Sequence, residues 1–156
     1  MDAPHDDVAV TLAAPADAGA VGALLFDFNT EFESPTPSAA ELTARFAHLL
    51  TRDDVLVVLT RPAVAFAYLT LRPTPYGDGP LAQLEELYVR PDRRDRGIGS
   101  RVLARAVQEV LARGALEMHI NVDEVDVDTR RFYERHGFTN IQPGEDYRML
   151  CYLREL

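Results

Sequence analysis

Apolar residues along the chain follow two different spacings. In some stretches they run together or alternate with polar residues, and many are β-branched or aromatic, which predicts strands. In others they recur every three or four positions, which predicts amphipathic helices. Strands are predicted at 8–13, 55–60, 64–71, 81–89, 116–122, 138–141 and 147–153. Helices are predicted at 15–32, 39–50, 97–113 and 128–137.

The order of these elements predicts the fold class. Two helices separate the first strand from the next three, and the later strands alternate with helices before two final strands. Strands joined by a short turn, such as the pair on either side of Arg61 and Pro62, pair antiparallel. We therefore predict an α/β (α+β) fold with a mixed, mostly antiparallel sheet of about seven strands flanked by about four helices. Residues 1–156 are expected to form a single domain.

The composition narrows the choice of partners and compartment. The formal net charge is −9, so a nucleic acid is not an expected partner, because phosphate backbones favour basic surfaces. No apolar run approaches the roughly 20 residues that span a bilayer, and the first residues do not resemble a signal peptide. The single cysteine, Cys151, cannot form an internal disulfide. These features predict a cytoplasmic protein with no membrane partner.

A cluster of arginines and glycines, RRDRGIGSR at 93–101, stands out in this acidic chain. It lies where a predicted strand ends and a predicted helix begins. The first N–H groups of a helix have no acceptor within the helix, and the helix dipole makes that end positive, so anions bind there. Gly97 and Gly99 would let a phosphate approach the backbone, and guanidinium groups suit phosphate oxygens. The arginines available for that contact are Arg94, Arg96 and Arg101. The pattern predicts a pyrophosphate-binding turn, with a loop of solvated arginines as the alternative.

Two common phosphate-binding motifs do not match this turn. A dinucleotide-binding G-x-G-x-x-G motif lies near the first strand, whereas this turn lies past the middle of the chain and has Val102 in place of the third glycine. A P-loop requires a lysine, and the sequence contains none.

The segment LEELYVRPDRRDRGIGSRVLARAV resembles the central motif of the GNAT superfamily of N-acetyltransferases. That motif is a strand, then R/Q-x-x-G-x-G/A, then a helix, and it is read here from Arg94 to Gly99. A second segment, RRFYERHGF at 130–138, resembles the family's F-Y-E-x-x-G-F signature. The two motifs occur in the family's order with one predicted strand between them, and the resemblance extends over nearly the whole chain.

The resemblance implies acetyl-CoA as co-substrate and a set of residues that bind it. Backbone N–H groups of the turn would hold the pyrophosphate, and the end of the strand 81–89 would offer backbone groups to the pantetheine arm. The strands at 81–89 and 116–122 would part and leave a slot for the thioester. Asp126 lies at the position where many members have an asparagine that contacts the pantetheine arm. An aspartate accepts hydrogen bonds but cannot donate them as the asparagine amide does. Capping of the short helix is the alternative role of Asp126. The implied coenzyme-binding residues are Leu87, Tyr88, Val89, Arg94, Asp95, Arg96, Gly97, Ile98, Gly99, Ser100 and Asp126.

The resemblance also implies candidates for proton transfer. Tyr133 matches the family tyrosine that protonates the departing thiolate, and its alternative role is packing beside Phe132 and Phe138. Glu85 and Glu86 lie on the strand that leads to the slot, where members often carry a base. Alternation places them on opposite faces, and because family strands carry a bulge near this point, periodicity does not choose between them.

The acceptor is expected to be a small-molecule primary amine, since a negatively charged protein attracts a cation. Asp27, Asn29, Glu31 and Glu33 form a candidate acidic rim, with a solvated helix end as the alternative. A protein or peptide N-acetyltransferase and a non-catalytic acyl-CoA sensor remain alternative functions. No metal is expected, because the acidic stretch 122–128 lacks the spacing of an EF-hand. The resemblance allows a homodimer.

Overall fold

The structure of the protein, a computed structural model, describes residues 7–156. Its internal contacts divide the chain into two units, one ending at His119 and the other spanning Ile120–Leu156. The expected single domain stays a prediction.

The first unit is a five-stranded sheet with three helices. The sheet has the order β1-β2-β3-β4-β5, in which the first four strands pair antiparallel and the fifth runs parallel to the fourth. The strands are β1 (Ala9–Leu12), β2 (Val55–Arg61), β3 (Ala65–Arg72), β4 (Leu81–Val89) and β5 (Glu117–His119). The helices are α1 (Ala18–Glu31), α2 (Ala39–Leu49) and α3 (Ile98–Ala112), with short 3₁₀ turns at Pro15–Asp17 and Pro91–Arg93. The mixed, mostly antiparallel sheet predicted from the sequence is therefore confirmed.

The central strands are buried on both faces, which explains why their sequences read as nearly continuous apolar runs. One face packs against α1 and α2 in a single apolar cluster. Alternate positions of the same strands lie on the other face, which α3 covers. The cluster on the first face contains Val21, Leu24, Leu42, Phe46, Val57, Leu59, Phe66 and Tyr88.

Local sequence accounts for where α2 begins. The Ser38 hydroxyl accepts a hydrogen bond of 3.1 Å from the Glu41 N–H, and the Glu41 carboxylate accepts one of 2.8 Å from the Ser38 N–H. This reciprocal pair satisfies two helix N–H groups that would otherwise have no acceptor.

The second unit contains one helix, α4 (Val127–Arg135), and no strand among its residues. The strands predicted at 138–141 and 147–153 are therefore wrong, and β5 is shorter than the predicted 116–122. One backbone hydrogen bond of 2.7 Å, from the Met149 N–H to the Asn140 carbonyl, joins the two segments. The Thr139 hydroxyl bonds both the N–H and the carbonyl of Ile141, each at 3.1 Å, and so competes with a strand ladder. Alternation of apolar residues does not make a strand without a paired neighbour.

Within residues 7–156, no helix combines the length and the apolar character needed to cross a membrane.

The helices α1 and α2 cross closely at a glycine. A Cβ placed on Gly22 would lie 2.7 Å from the Thr43 hydroxyl oxygen and 2.8 Å from the Thr43 backbone nitrogen. Contacts this short require the backbones to separate, so the absence of a side chain at Gly22 sets the distance between the two helices.

We predict that Gly22→Ala lowers the free energy of unfolding by about 1–3 kcal/mol, because the new methyl group overpacks the crossing. Urea denaturation measures the change. Gly19→Ala is the matched control: Gly19 lies on the exposed side of the same helix with no atom within 4 Å of its Cβ position. There the alanine should raise stability by up to about 1 kcal/mol through helix propensity. Equal effects at both positions would contradict the close crossing.

Candidate active site

A β-bulge in β4 decides which side chains face α1 and α2. Tyr68 pairs with Glu86 and Leu69 pairs with Leu84, so Glu85 has no partner on β3. Without the extra residue, positions 84, 86 and 88 would share a face. With it, Leu84 lies on the α3 side, whereas Glu86 lies on the side of α1 and α2 with Tyr88.

The two glutamates at the bulge have different surroundings. Glu85 is exposed, and its carboxylate accepts a hydrogen bond of 2.7 Å from the Thr70 hydroxyl. Glu86 is half-buried opposite Tyr68. Burial, and to a lesser extent the nearby charge of Glu85, raise the pKa of Glu86 to about 7. A carboxylate with that pKa can accept a proton at neutral pH, and a role of either glutamate as a base stays a prediction.

Tyr68 joins Glu86 on the same face and was not predicted from the sequence. Its ring meets Phe46 edge to face, with the centroids 5.4 Å apart. Burial and the charges of Glu85, Asp54 and Glu86 raise the pKa of the Tyr68 phenol. Only the register between β3 and β4 shows this pairing, because 18 residues separate Tyr68 from Glu86 along the chain.

The strands β4 and β5 part after three residue pairs. Leu81, Ala82 and Gln83 pair with β5, and the rest of β4 pairs only with β3 among the described residues. Backbone groups from Glu85 to Val89 therefore lie along an edge without a neighbouring strand, as the predicted slot requires. One of them, the Val89 carbonyl, accepts a hydrogen bond of 3.0 Å from Nε of Arg94.

The glycine–arginine turn has the backbone of an anion-binding loop. Asp95 and Gly97 both have positive φ, 59° and 77°, and α3 begins at the buried Ile98. Such residues next to a helix N-terminus form a concave surface of backbone N–H groups that suits an anion. A Cβ placed on Gly97 would meet no atom within 4 Å, so the space beside the turn is open. The turn therefore fits a pyrophosphate.

The side chains of Arg94 and Arg101, which were expected to contact phosphate, bond to the protein. Arg94 Nη2 donates to both carboxylate oxygens of Glu31, at 2.9 and 2.8 Å. Arg101 Nη2 donates to the Val8 carbonyl at 2.7 Å. Arg96 is exposed. The side chains of Arg94 and Arg101 thus brace the turn, while a contact of their backbone or of Arg96 with a ligand stays a prediction.

The candidate acidic rim at the end of α1 is largely neutralised. Asp27 pairs with Arg90 at 2.6 Å, and Glu31 pairs with Arg94 at 2.8 Å. The Asn29 amide donates to the Thr36 hydroxyl at 3.2 Å. The sequence contained a signal for these pairs, because Asp27 and Glu31 are four residues apart and so are Arg90 and Arg94. Only the fold shows that the two carboxylates meet the two arginines.

In the second unit, Tyr133 is buried between two aromatic side chains. Its ring lies edge to face against Phe132 and Phe138, with centroids 5.2 and 5.5 Å away. Asp126 occupies the N-cap position of α4 but makes no capping hydrogen bond with its side chain, so the capping role considered for it is wrong. Their roles toward a coenzyme stay predictions.

No group of three or more His, Cys, Asp and Glu side chains within residues 7–156 is arranged to hold a metal ion.

An open strand edge, followed by a turn with positive φ and a helix N-terminus, is an arrangement that suits a phosphate-bearing ligand. The chain belongs to the acetyltransferase (GNAT) family, whose model matches residues 21–138. It is accordingly an acyltransferase enzyme, and the family uses acetyl-CoA.

Solved structures agree with this assignment. A provisionally assigned acetyltransferase from Arthrobacter sp. FB24 is 46% identical over 100% of both chains, with a TM-score of 0.90. An aminoglycoside N-acetyltransferase in complex with CoA is 18% identical, with 96% of this chain and 100% of that chain covered and a TM-score of 0.75. A ribosomal-protein-alanine N-acetyltransferase from Brucella melitensis biovar Abortus 2308 is 20% identical, with coverage of 96% and 99% and a TM-score of 0.73. The last two show a shared fold.

We predict that Glu86→Gln stabilises the protein at pH 8 by about 2–3 kcal/mol and changes its stability little at pH 4. The pKa of Glu86 is higher in the folded protein, about 7, than the ordinary 4.5. Ionisation therefore costs folding stability, and that cost grows as pH rises from about 4.5 to about 7 and is complete above it. Urea denaturation at the two pH values measures the effect. Glu85→Gln removes the same charge from an exposed position and should give a smaller gain at pH 8.

Proposed function

We propose that the protein transfers an acetyl group from acetyl-CoA to the primary amine of a small cationic molecule by direct attack in a ternary complex. The observation that carries this proposal is Glu86, a half-buried carboxylate whose pKa is about 7 and which the bulge directs to the side of α1 and α2. The attacking amine must lose a proton near neutral pH, and Glu86 has the pKa for that task.

Each part of the reaction has a proposed group on the chain. Backbone N–H groups of 94–100 bind the pyrophosphate, and backbone groups of Leu87, Tyr88 and Val89 align the pantetheine arm. Acetyl-CoA supplies an activated thioester acyl group. Glu86 takes the proton that the amine loses as the new C–N bond forms. Tyr133 donates its hydroxyl proton to the sulfur as the C–S bond breaks.

A cationic acceptor is favoured by the charges around Tyr68. The charges of Glu85, Asp54 and Glu86 all raise the pKa of that phenol, whereas Arg52 lowers it. Arg52 is itself bonded to Asp54 at 2.7 Å. The face therefore carries surplus negative charge, which attracts an ammonium group and orients it toward Glu86. A homodimer and a cytoplasmic location stay predictions from the sequence.

We expect the unmodified protein to release CoA thiol from acetyl-CoA with one class of a panel of polyamines, aminoglycosides, amino acids and short peptides. The rate should rise with pH through about 7, because Glu86 acts when it has lost its proton. Glu86→Gln should abolish that rise and slow turnover by roughly 100-fold or more, and Tyr133→Phe should lower kcat with little change in the KM for acetyl-CoA.

Glu85→Gln is the control for that experiment. Because the charge of Glu85 contributes to the raised pKa of Glu86, its removal should move the rise to lower pH and leave the plateau rate in place. Release with peptides alone would transfer the proposal to a peptide N-acetyltransferase. Coenzyme binding without release on any amine would favour an acyl-CoA sensor.

We predict that Gly97→Ala weakens the binding of CoA at least as strongly as it weakens the fold. A φ of 77° costs an alanine about 1–2 kcal/mol, and relief of that strain would reorient the N–H groups of the turn. Calorimetric titration with CoA and thermal unfolding measure the two effects. Gly144→Ala imposes a comparable strain at a φ of 86°, also with no atom within 4 Å of its Cβ position, but at a residue that is not part of the turn. It should lower stability and leave CoA affinity unchanged.

A further inference from the structure

Glu31, Tyr88 and Arg94 form a hydrogen-bonded cluster, here called the arginine clip, that joins α1 to the turn 94–100. Glu31 Oε1 accepts a hydrogen bond of 3.0 Å from the Tyr88 hydroxyl, and both its carboxylate oxygens accept from Arg94 Nη2. The Glu31 side chain is 25% exposed and that of Arg94 is 38% exposed. Burial and the bond to Glu31 raise the pKa of Tyr88 to about 12, so its hydroxyl remains a donor at every physiological pH.

The clip determines where the turn starts. Nε of Arg94 holds the Val89 carbonyl at 3.0 Å, and the guanidinium lies 5.7 Å from the centre of the Tyr88 ring. That ring is stacked on Phe28 of α1, with the centroids 4.8 Å apart. The bonded donor groups of Arg94, Nε and Nη2, therefore point back toward β4 and α1.

The opposite end of the turn is held separately. Ile98 is buried, and Arg101 bonds the Val8 carbonyl through its side chain and the Gly97 carbonyl through its N–H. Between the two ends lie Asp95 and Gly97, the residues with positive φ. A segment held at both ends keeps its N–H groups oriented, which lowers the entropy lost when an anion binds.

We propose that Glu31 is a positioning residue for coenzyme binding, which acts through Arg94 by fixing the entry to the pyrophosphate turn. This inference rests on the proposed function of that turn. The sequence led us to expect that the Arg94 side chain contacts phosphate directly. We infer instead that its guanidinium group pairs with Glu31 and that Arg94 affects the ligand through the backbone conformation that it stabilises.

A neighbouring ion pair provides a matched control. Asp27 lies one helical turn before Glu31 and pairs with Arg90 at 2.6 Å, and Arg90 is about as exposed as Arg94. Arg90 precedes the turn and does not belong to it. Partly exposed ion pairs contribute little to stability, so neither pair is expected to decide whether the protein folds.

The test is calorimetric titration of CoA into the full chain and its variants, with thermal unfolding of each. Glu31→Gln should weaken binding roughly three- to tenfold, which lies in the lower part of the range for coupling within one hydrogen-bond network. It should raise the KM for acetyl-CoA and leave kcat at saturation nearly unchanged. Asp27→Asn should leave CoA affinity within twofold of the unmodified protein.

Two further variants separate positioning from direct charge. In an Arg94→Gln background, Glu31→Gln should have no additional effect on affinity, because the group through which it acts is gone. Arg94→Lys keeps the positive charge but cannot form the bonds to Glu31 and Val89 together, so it should bind CoA as weakly as Arg94→Gln.

Full affinity in Arg94→Lys would show that the charge contacts the ligand, and it would overturn the inference. Equal losses in Glu31→Gln and Asp27→Asn, or additive losses in the double variant, would overturn it as well. Failure of the unmodified protein to bind CoA would instead refute the proposed function, and this inference with it.

Discussion

The bulge at Glu85 is the constraint on which the rest of the site depends. In a regular strand, Leu84, Glu86 and Tyr88 would lie on one face. If that face met α3, the Glu86 carboxylate would pack against α3. If it met α1 and α2, Leu84 would pack against those helices instead. The extra residue lets both halves of β4 satisfy the core: Leu84 packs under α3, and Tyr88 packs under α1. Glu86 lies between these two residues along β4 and is half-buried. Its raised pKa follows mainly from that burial, with a smaller contribution from the charge of Glu85.

Charge pairing organises the same end of the sheet. Without partners, the carboxylates at the end of α1 would repel one another, and so would the arginines that follow β4. In the fold they meet, and two carboxylates of α1 neutralise two arginines that follow β4. Part of the arginine charge is therefore used in ion pairs within the protein, and the proposed function assigns ligand binding to the backbone N–H groups of the turn. An acidic protein can in this way bind a polyanion with oriented N–H groups and little net positive charge.

Membership of the GNAT family accounts for the combination of a parted strand edge and a glycine turn. It does not by itself name the acceptor, because one fold supports many acceptors. Neighbours of similar fold include enzymes named for aminoglycosides and for a ribosomal protein. In this chain Tyr68 and Glu86 lie side by side on one face, and that face is the basis for proposing a cationic amine.

The sequence by itself determined the local elements of the first unit and the position of the turn. Periodicity, the capping pair at Ser38 and the glycines at 97 and 99 act over a few residues, so they can be read without the fold. The sequence could not determine which glutamate turns inward, because a bulge is a relation between two strands. Nor could it show that Arg94 bonds Glu31, since 63 residues separate them. The strands expected at 138–141 and 147–153 failed for the same reason: a strand exists only where another strand pairs with it, and pairing is a property of the tertiary structure.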